Sequence, residues 1–512
     1  MSAPVLEKYV ASNGVQSKPR LGGPGLRAGL LIGALSIITA IVLIYVPFSS
    51  IGWESMQVLW VGGGLFAALC FALGLSRTRT SNAQKAVFVL WGFLLISEGF
   101  FSRGGTIDSA FGGSFNVAAY GEGIMWVVTF LVLIPIFLWS PLPVKRLFAG
   151  NYKWVVLFGL ACLVSCAYSP RPVFSAAWAF KLVLVILLLH LCSAYLNDLH
   201  DVDSFLRITY WALAFLLVYW VIQGDGANSF FDEDGRLVRS NGLSATAGTL
   251  LMLSFTLYSP RRGWGMKKAA IVTGVSAFVL MVVAGGKAGI VAGLISGILF
   301  FVIRKGVGSA TAFVAGALVV GWLAITLSPM SRYLQNYMQS EDQATTLTGR
   351  TPLWEVAFPA ILQKPILGHG YVASTFVSVQ VNGVPWDAGH MHNGFLEVLY
   401  NNGLIGFVLV LAIHLIIVRN LVRVIRRTPP SDYLYQLGVG CFAVYINLLI
   451  NGFANASFGG RAWHPFMALL ALVVISDKLV DAASSDQGHA APVLVTQVAQ
   501  MEYPSGEKVT RA

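Results

Sequence analysis

Charge is scarce in this sequence. Asp, Glu, Lys and Arg make up 11% of its 512 residues and hydrophobic residues 56%, where an average soluble domain carries roughly 25% charged residues. Mean hydropathy is +0.71, which excludes an ordinary soluble globular domain. The short alternating segments of a membrane β-barrel are missing as well. Cysteine is limited to Cys70, Cys162, Cys166, Cys192 and Cys441. All five lie inside apolar runs without metal-type or secreted-disulfide spacing, and they read as small buried residues. The chain has no Walker A motif and no GxGxxG following a strand, so nothing points to a bound nucleotide. Residues 1–28 lack an apolar core or a small-residue cleavage site of their own and carry Lys8, Lys18, Arg20 and Arg27. They read as a cytoplasmic tail followed by a retained anchor.

What the chain has in abundance is apolar runs of about 17–25 residues, each long enough to cross a hydrocarbon core of roughly 30 Å as a helix. They predict helices near 29–47, 57–75, 86–102, 122–142, 154–168, 173–195, 207–223, 243–259, 268–285, 287–303, 309–328, 402–419, 432–453 and 464–480. The fold class is therefore all-α and polytopic, with about fourteen transmembrane helices. One large periplasmic loop, 329–401, separates helices 11 and 12. The net charge of +11 is spread over short basic clusters between helices, the positive-inside signal rather than a nucleic-acid surface. With the N-terminus inside, the clusters at 77–85, 145–153, 261–268, 304–305 and 419–427 all fall on the cytoplasmic side. The domain plan is a tail over 1–28, a membrane domain over 29–480 and an Ala/Ser/Gln-rich cytoplasmic tail over 481–512, whose composition predicts disorder. Gly285, Gly289, Gly293 and Gly297 recur once per turn on one helical face, the pattern of a close helix–helix contact.

Basic residues on the outer side run against the positive-inside rule and have a claim to function. They are Arg236 and Arg239 in GRLVRSNGLSATAG, Lys287 in GGKAGI, Arg350 at the opening of the long loop, and Arg461 in FGGRAWHP. For each one a local salt bridge is the competing explanation, and Asp232, Glu233 and Asp234 are adjacent partners for Arg236. Together they offer a clamp for phosphate or diphosphate oxygens at the membrane surface, the depth at which a lipid-linked diphosphate presents its charge. His390 and His392 lie in HMHNGFLEVLYNNGLIG. Their spacing lacks a third ligand set, which argues against a metal, whereas a neutral imidazole suits a general base acting on a sugar hydroxyl. His392 is the better base because Asn393 and Glu397 follow it at the start of a helix, Glu397 being placed to orient a ring or an acceptor.

The segments SPRPVFSAAWAFKLVLVILLL (169–189), VRSNGLSATAGTL (238–250), GGKAGIVAGLISG (285–297), TGRTPLWEVAFPAILQKPILGHGY (348–371) and HMHNGFLEVLYNNGLIG (390–406) together resemble the O-antigen ligase and Wzy-type polysaccharide polymerase superfamily. The resemblance implies a multi-helix inner-membrane glycosyltransferase whose active site faces the periplasm and whose termini are cytoplasmic. It implies a glycan donor on undecaprenyl diphosphate, basic residues that hold the diphosphate, and a loop histidine that activates the acceptor without a metal or other cofactor. On this chain His392 matches the family histidine before Asn, Arg239 and Arg350 match its outward arginines, and Lys287 stands where many members carry Arg. The acceptor is a second glycan for a polymerase or lipid A core for a ligase. The exopolysaccharide polymerases are the nearer match, with a chain-length regulator and a flippase as candidate partners, membrane lipid as surroundings, and no nucleic acid. From another class, a lipid-linked oligosaccharide flippase would place its charges inside the helices lining a path. Here they concentrate in the outer loops, apart from Lys181 and a few others.

Overall fold

The computed structural model describes residues 80–101, 147–223, 241–258, 264–327, 350–381, 384–387, 389–455 and 458–489, with positions 126, 129, 130 and 133. The predicted helices at 29–47 and 57–75 and the tail over 1–28 lie outside the described residues, and the one at 122–142 lies largely outside them.

The described helices are α1 (Thr80–Phe101), α2 (Lys153–Ser165), α3 (Pro172–Tyr195), α4 (Leu199–Gln223), α5 (Asn241–Leu257), α6 (Trp264–Val283), α7 (Lys287–Lys305), α8 (Val307–Leu327), α9 (Arg350–Gln363), α10 (Gly394–Arg427), α11 (Tyr433–Ala454) and α12 (His464–His489). Among the described residues, α3, α7, α10 and α11 are long and apolar enough to cross a membrane. Local chemistry sets their ends. Pro172 opens α3, where its missing N–H costs nothing. Asp432 caps α11 by accepting the Leu434 N–H at 2.8 Å. Arg304 and Lys305 close α7, and Arg426 and Arg427 close α10, each pair favourable at the negative end of the helix dipole.

Two packing groups share α11. One gathers α5, α6, α7 and α8; the other gathers α2, α3, α10 and α12. The glycine face of α7 makes the first group close-packed: a Cβ on Gly289 would lie 2.6 Å from the Ser244 carbonyl carbon of α5. Ser244 also donates to the carbonyls of Met281 and Gly286, at 3.1 and 3.0 Å. The α6–α7 turn that carries Lys287 is thereby tied to the start of α5.

Two features depart from the hydropathy reading. α10 begins at Gly394, where hydropathy places the start at 402, because its first turns are amphipathic and capped rather than uniformly apolar. α12 runs on to His489, past the end of its apolar window at 480. In the 329–401 segment the structure also describes an element that an all-α reading does not contain. β1 (Ser378–Val381) and β2 (Val384–Asp387) pair antiparallel, with Val381 opposite Val384 and Ser378 opposite Asp387.

Candidate active site

The segment after α9 and the first half of α10 are joined backbone to backbone. Gly403 (φ 60°, ψ −159°) breaks α10, a conformation essentially confined to glycine. The groups freed at the break find partners in 365–370. Leu404 N–H donates to Pro365 O at 2.8 Å and Ile405 N–H to Ile366 O at 3.3 Å. Tyr400 O and Asn401 O accept from His369 N–H and Gly370 N–H, each at 2.8 Å. The chains approach so closely that a Cβ on Gly403 would lie 2.3 Å from Ile366 O, and one on Gly368 (φ +71°) 2.5 Å from Gly403 N. The P-x-x-G-x-G and G-x-x-G motifs are thus the two halves of one joint.

That joint is fixed to the helices around it. Asn401 accepts the Ser374 N–H at 2.9 Å, and the Asn402 amide donates to Ser165 Oγ of α2 at 3.1 Å. Tyr371 is fully buried; its N–H donates to Ser165 Oγ at 2.9 Å and its hydroxyl to Gly460 O at 2.7 Å. Burial holds the Tyr371 phenol well above its ordinary range, so it remains a donor.

Between β2 and α10 runs the loop that carries the two histidines, and Met391 pins it. Its side chain is fully buried in a cluster with Leu353, Ala357, Val377 and Val379. Its carbonyl accepts from Trp354 Nε1 at 3.0 Å, and its N–H donates to Glu397 Oε2 at 2.6 Å. With Met391 held at three points, His390 and His392 are displayed on either side. His392 has φ +52°, a left-handed conformation unusual for a residue with a side chain and a frequent mark of functional sites. The two rings lie 4.0 Å apart between centroids, and the His392 N–H donates to His390 Nδ1 at 3.1 Å. A neutral His390 therefore carries its proton on Nε2. It is held well below the ordinary histidine range by desolvation first, then by the His392 ring and by the charges of Arg461 and Arg350. Trp463 meets the same ring edge to face at 5.8 Å.

Glu397 is 2% exposed. Besides the Met391 N–H, its carboxylate accepts from the Ser374 hydroxyl and from the Asn401 amide, the latter at 3.4 Å. These bonds orient the backbone that carries the histidines. Asn393 is the cap of α10: its Oδ1 accepts from Phe395 N–H at 2.9 Å and Leu396 N–H at 3.1 Å. Its amide donates to Phe453 O at the end of α11, at 3.1 Å.

The cations arrive from separate parts of the chain. Arg350 opens α9 and Arg461 lies between α11 and α12, and both act electrostatically on His390. Arg461 also lies 5.0 Å from the Trp178 ring and 5.8 Å from that of Phe174, both in α3. The fully buried Lys181 reaches the Trp178 ring at 4.9 Å. Lys287, the first residue of α7, is exposed on a rim that also holds the start of α5, where Thr246 bonds His464 just beyond Arg461. Arg236 and Arg239 lie outside the described residues; the described chain resumes at Asn241.

Sequence reasoning missed several residues of this region. Arg171 lies 4.3 Å from the Phe376 ring, and the rule that selected the other cations applies to it, since the hydropathy reading sets it between the runs 154–168 and 173–195 on the side it expects to be outer. The hairpin had a signal too, Asn-Gly flanked by alternating Val residues in VQVNGV. Met391 and Ser374 carried no signal beyond position, because their roles arise from contacts with Trp354 and Glu397.

Residues 269–411 match the family model described as Wzy_C, O-Antigen ligase. Lys287, Arg350, His390, His392, Asn393 and Glu397 fall inside that match; Arg236, Arg239 and Arg461 fall outside it. The chain is 22% identical over 360 residues to a "Putative polysaccharide ligase" of Rickettsia felis, covering 65% of this chain and 83% of that protein. It is 23% identical over 298 residues to "Exopolysaccharide production protein ExoQ" of Rhizobium meliloti, covering 53% of this chain and 67% of that protein. An uncharacterized protein of Haemophilus influenzae is 25% identical over 186 residues, covering 33% of this chain and 46% of its own length. Part of the chain is thus similar to the O-antigen ligase family, and longer stretches to proteins named for polysaccharide ligation and exopolysaccharide production. The four apolar helices indicate a membrane protein.

Proposed function

We propose that the protein is a glycosyltransferase of the bacterial inner membrane that polymerises undecaprenyl-diphosphate-linked repeat units, with His392 as general base at a periplasmic site. One observation carries the reading. A neutral His390 lies against His392 on a loop pinned at Met391, and the charges of Arg350 and Arg461 reach the same place. A neutral His390 adds no charge of its own against a proton held on its neighbour. His390, with Nδ1 engaged by the His392 N–H, is suited to donate through Nε2 to a sugar oxygen.

In the reaction the acceptor hydroxyl oxygen bonds to the anomeric carbon of the donor, and its proton passes to His392. The bond from that carbon to the diphosphate breaks, and the electron pair leaves with the diphosphate. A lipid diphosphate is already a good leaving group, so the protein has chiefly to place the acceptor, take one proton and balance charge on the departing oxygens. Arg350, Arg461 and Lys287, with Arg236 and Arg239, would supply that balance. Glu397 is a positioning residue, and Asn393 fixes the entry of α10. Metal-independent chemistry, cytoplasmic termini, a full set of about fourteen helices, and a chain-length regulator and flippase as partners belong to this same reading.

Transfer to lipid A core is the second reading, favoured by the family description and by the name of the Rickettsia relative. Gene deletion with wild-type and His392→Ala complementation, followed by gels of secreted polysaccharide and lipopolysaccharide, separates the two. Loss of high-molecular-weight exopolysaccharide with normal lipopolysaccharide supports polymerisation. Complete polymer retained on its lipid carrier and missing from lipid A core supports ligation. Normal polymer from a well-inserted His392→Ala variant removes the general base, and unpolymerised units stranded on the cytoplasmic leaflet point to a flippase.

A further inference from the structure

At the other end of the bundle, α5, α6, α7 and α8 enclose an apolar groove of about 410 Å³. Its walls include Phe255, Phe278, Phe300, Phe301 and Phe313, and Phe255 packs on the rings of Phe300, Phe301 and Phe313 at 5.2–5.8 Å. Arg304 and Lys305, the last two residues of α7, also line it. Arg304 is fixed in place by the Tyr258 carbonyl at 3.3 Å and Gln436 Oε1 at 3.2 Å. Lys305 is exposed, and no acidic residue belongs to the described lining. Lys267 and the exposed Lys268 stand on the first turns of α6, next to the lining residues Ala270 and Ile271.

The groove is remote from the histidines. Gln436 lies in the first turn of α11, and Phe453, which binds Asn393, lies in its last. At 1.5 Å per residue those two positions are about 25 Å apart along the helix. An apolar trough whose lining ends in cations at the foot of a membrane-spanning helix matches one kind of molecule, an acyl chain ending in an anionic phosphate. A neutral or zwitterionic lipid would leave Lys305 and Arg304 without a net counter-charge.

We propose that this groove is a binding site for one anionic phospholipid, with an acyl chain along the phenylalanines and the phosphate at Lys305 and Arg304. The site is separate from the glycosyl-transfer chemistry and stands whether or not that reading holds.

The test is native mass spectrometry of the purified full-length protein with equal amounts of phosphatidylglycerol and phosphatidylcholine. Wild type is expected to retain one phosphatidylglycerol preferentially, and Lys305→Ala to retain it about fivefold more weakly, the effect of losing one lysine at a charged lipid surface. Gly316 lines the groove, and a Cβ there meets nothing within 4 Å, so Gly316→Leu fills the space without a backbone clash and is expected to abolish retention. Gly321, on the same helix with open space at its Cβ and outside the groove lining, provides Gly321→Leu as a control that keeps it. Equal retention of the two lipids by wild type overturns the proposal. So does equal retention by wild type and Gly316→Leu, which would place the bound lipid outside the groove.

Discussion

Removing the Glu397 carboxylate separates a positioning role from a chemical one. Glu397→Ala strips the acceptor from the Met391 N–H at 2.6 Å, from the Ser374 hydroxyl, and from the more distant Asn401 amide at 3.4 Å. Met391 and Ser374 are fully buried. A hydrogen bond to a charged group contributes about 1.5–3 kcal/mol, and a donor left unsatisfied costs about 1–3 kcal/mol. Against that, burying a carboxylate is itself unfavourable, and the alanine variant is relieved of that cost. The balance is a loss of about 2–4 kcal/mol, within the 5–15 kcal/mol margin of a typical folded protein. The variant should therefore insert and fold but hold the His390–His392 loop loosely. Reversible unfolding in detergent should show the loss, and transfer activity should fall without a change in the acid limb of its pH profile. His392→Ala should show the opposite pattern, with activity gone and the unfolding free energy nearly unchanged. A Glu397→Ala protein that unfolds within about 1 kcal/mol of wild type, or that makes normal polymer, would refute the anchoring role.

Gly403→Ala should destabilise by about 2–5 kcal/mol, combining strain at a glycine-only backbone conformation with overpacking against Ile366 O. Gly321→Ala, with open space at its Cβ, should be neutral or slightly stabilising in the same unfolding measurement. Because His390 is depressed in the folded state, the unfolded chain binds a proton near pH 6.5 that the folded chain refuses. Stability should then fall as pH drops below about 6.5, and unfolding midpoints of His390→Gln should fall less steeply between pH 7.5 and 5.5; parallel slopes would mean the ring is not held neutral. Arg350→Lys should retain more transfer activity than Arg350→Ala, whose loss should be about 2–4 kcal/mol of transition-state stabilisation. Equal and negligible effects would remove Arg350 from the site.

The helices were legible because a membrane span is written in composition: a run such as 173–195 has one physical outcome, and the described helix is Pro172–Tyr195. Legibility failed where the chain turns amphipathic. The first turns of α10 carry Glu397, Asn401 and Asn402, which lower hydropathy although they are buried, because each is satisfied by a partner distant in sequence. Arg350 and Arg461 drew notice in the sequence as basic residues the positive-inside rule disfavours, and in the structure their charges reach His390 beside His392. The detail that Met391 is the fixed point between two displayed histidines did not follow, because it depends on Trp354 and Glu397 acting together. The proline–glycine and glycine–glycine motifs were visible as patterns, but that they are complementary surfaces of one joint appears only in three dimensions.

That joint and Met391 bracket the short hairpin between them. The chain is clamped at 365–370 on one side and at Met391 on the other, so the intervening strands are tethered at both ends to parts that position the two histidines. Lengthening a tethered surface loop adds little entropic cost, since each doubling costs only about 0.6 kcal/mol. That tolerance is confined to the chain beyond Val379, because Val379 of β1 is buried in the Met391 cluster and belongs to what holds the histidine loop in place.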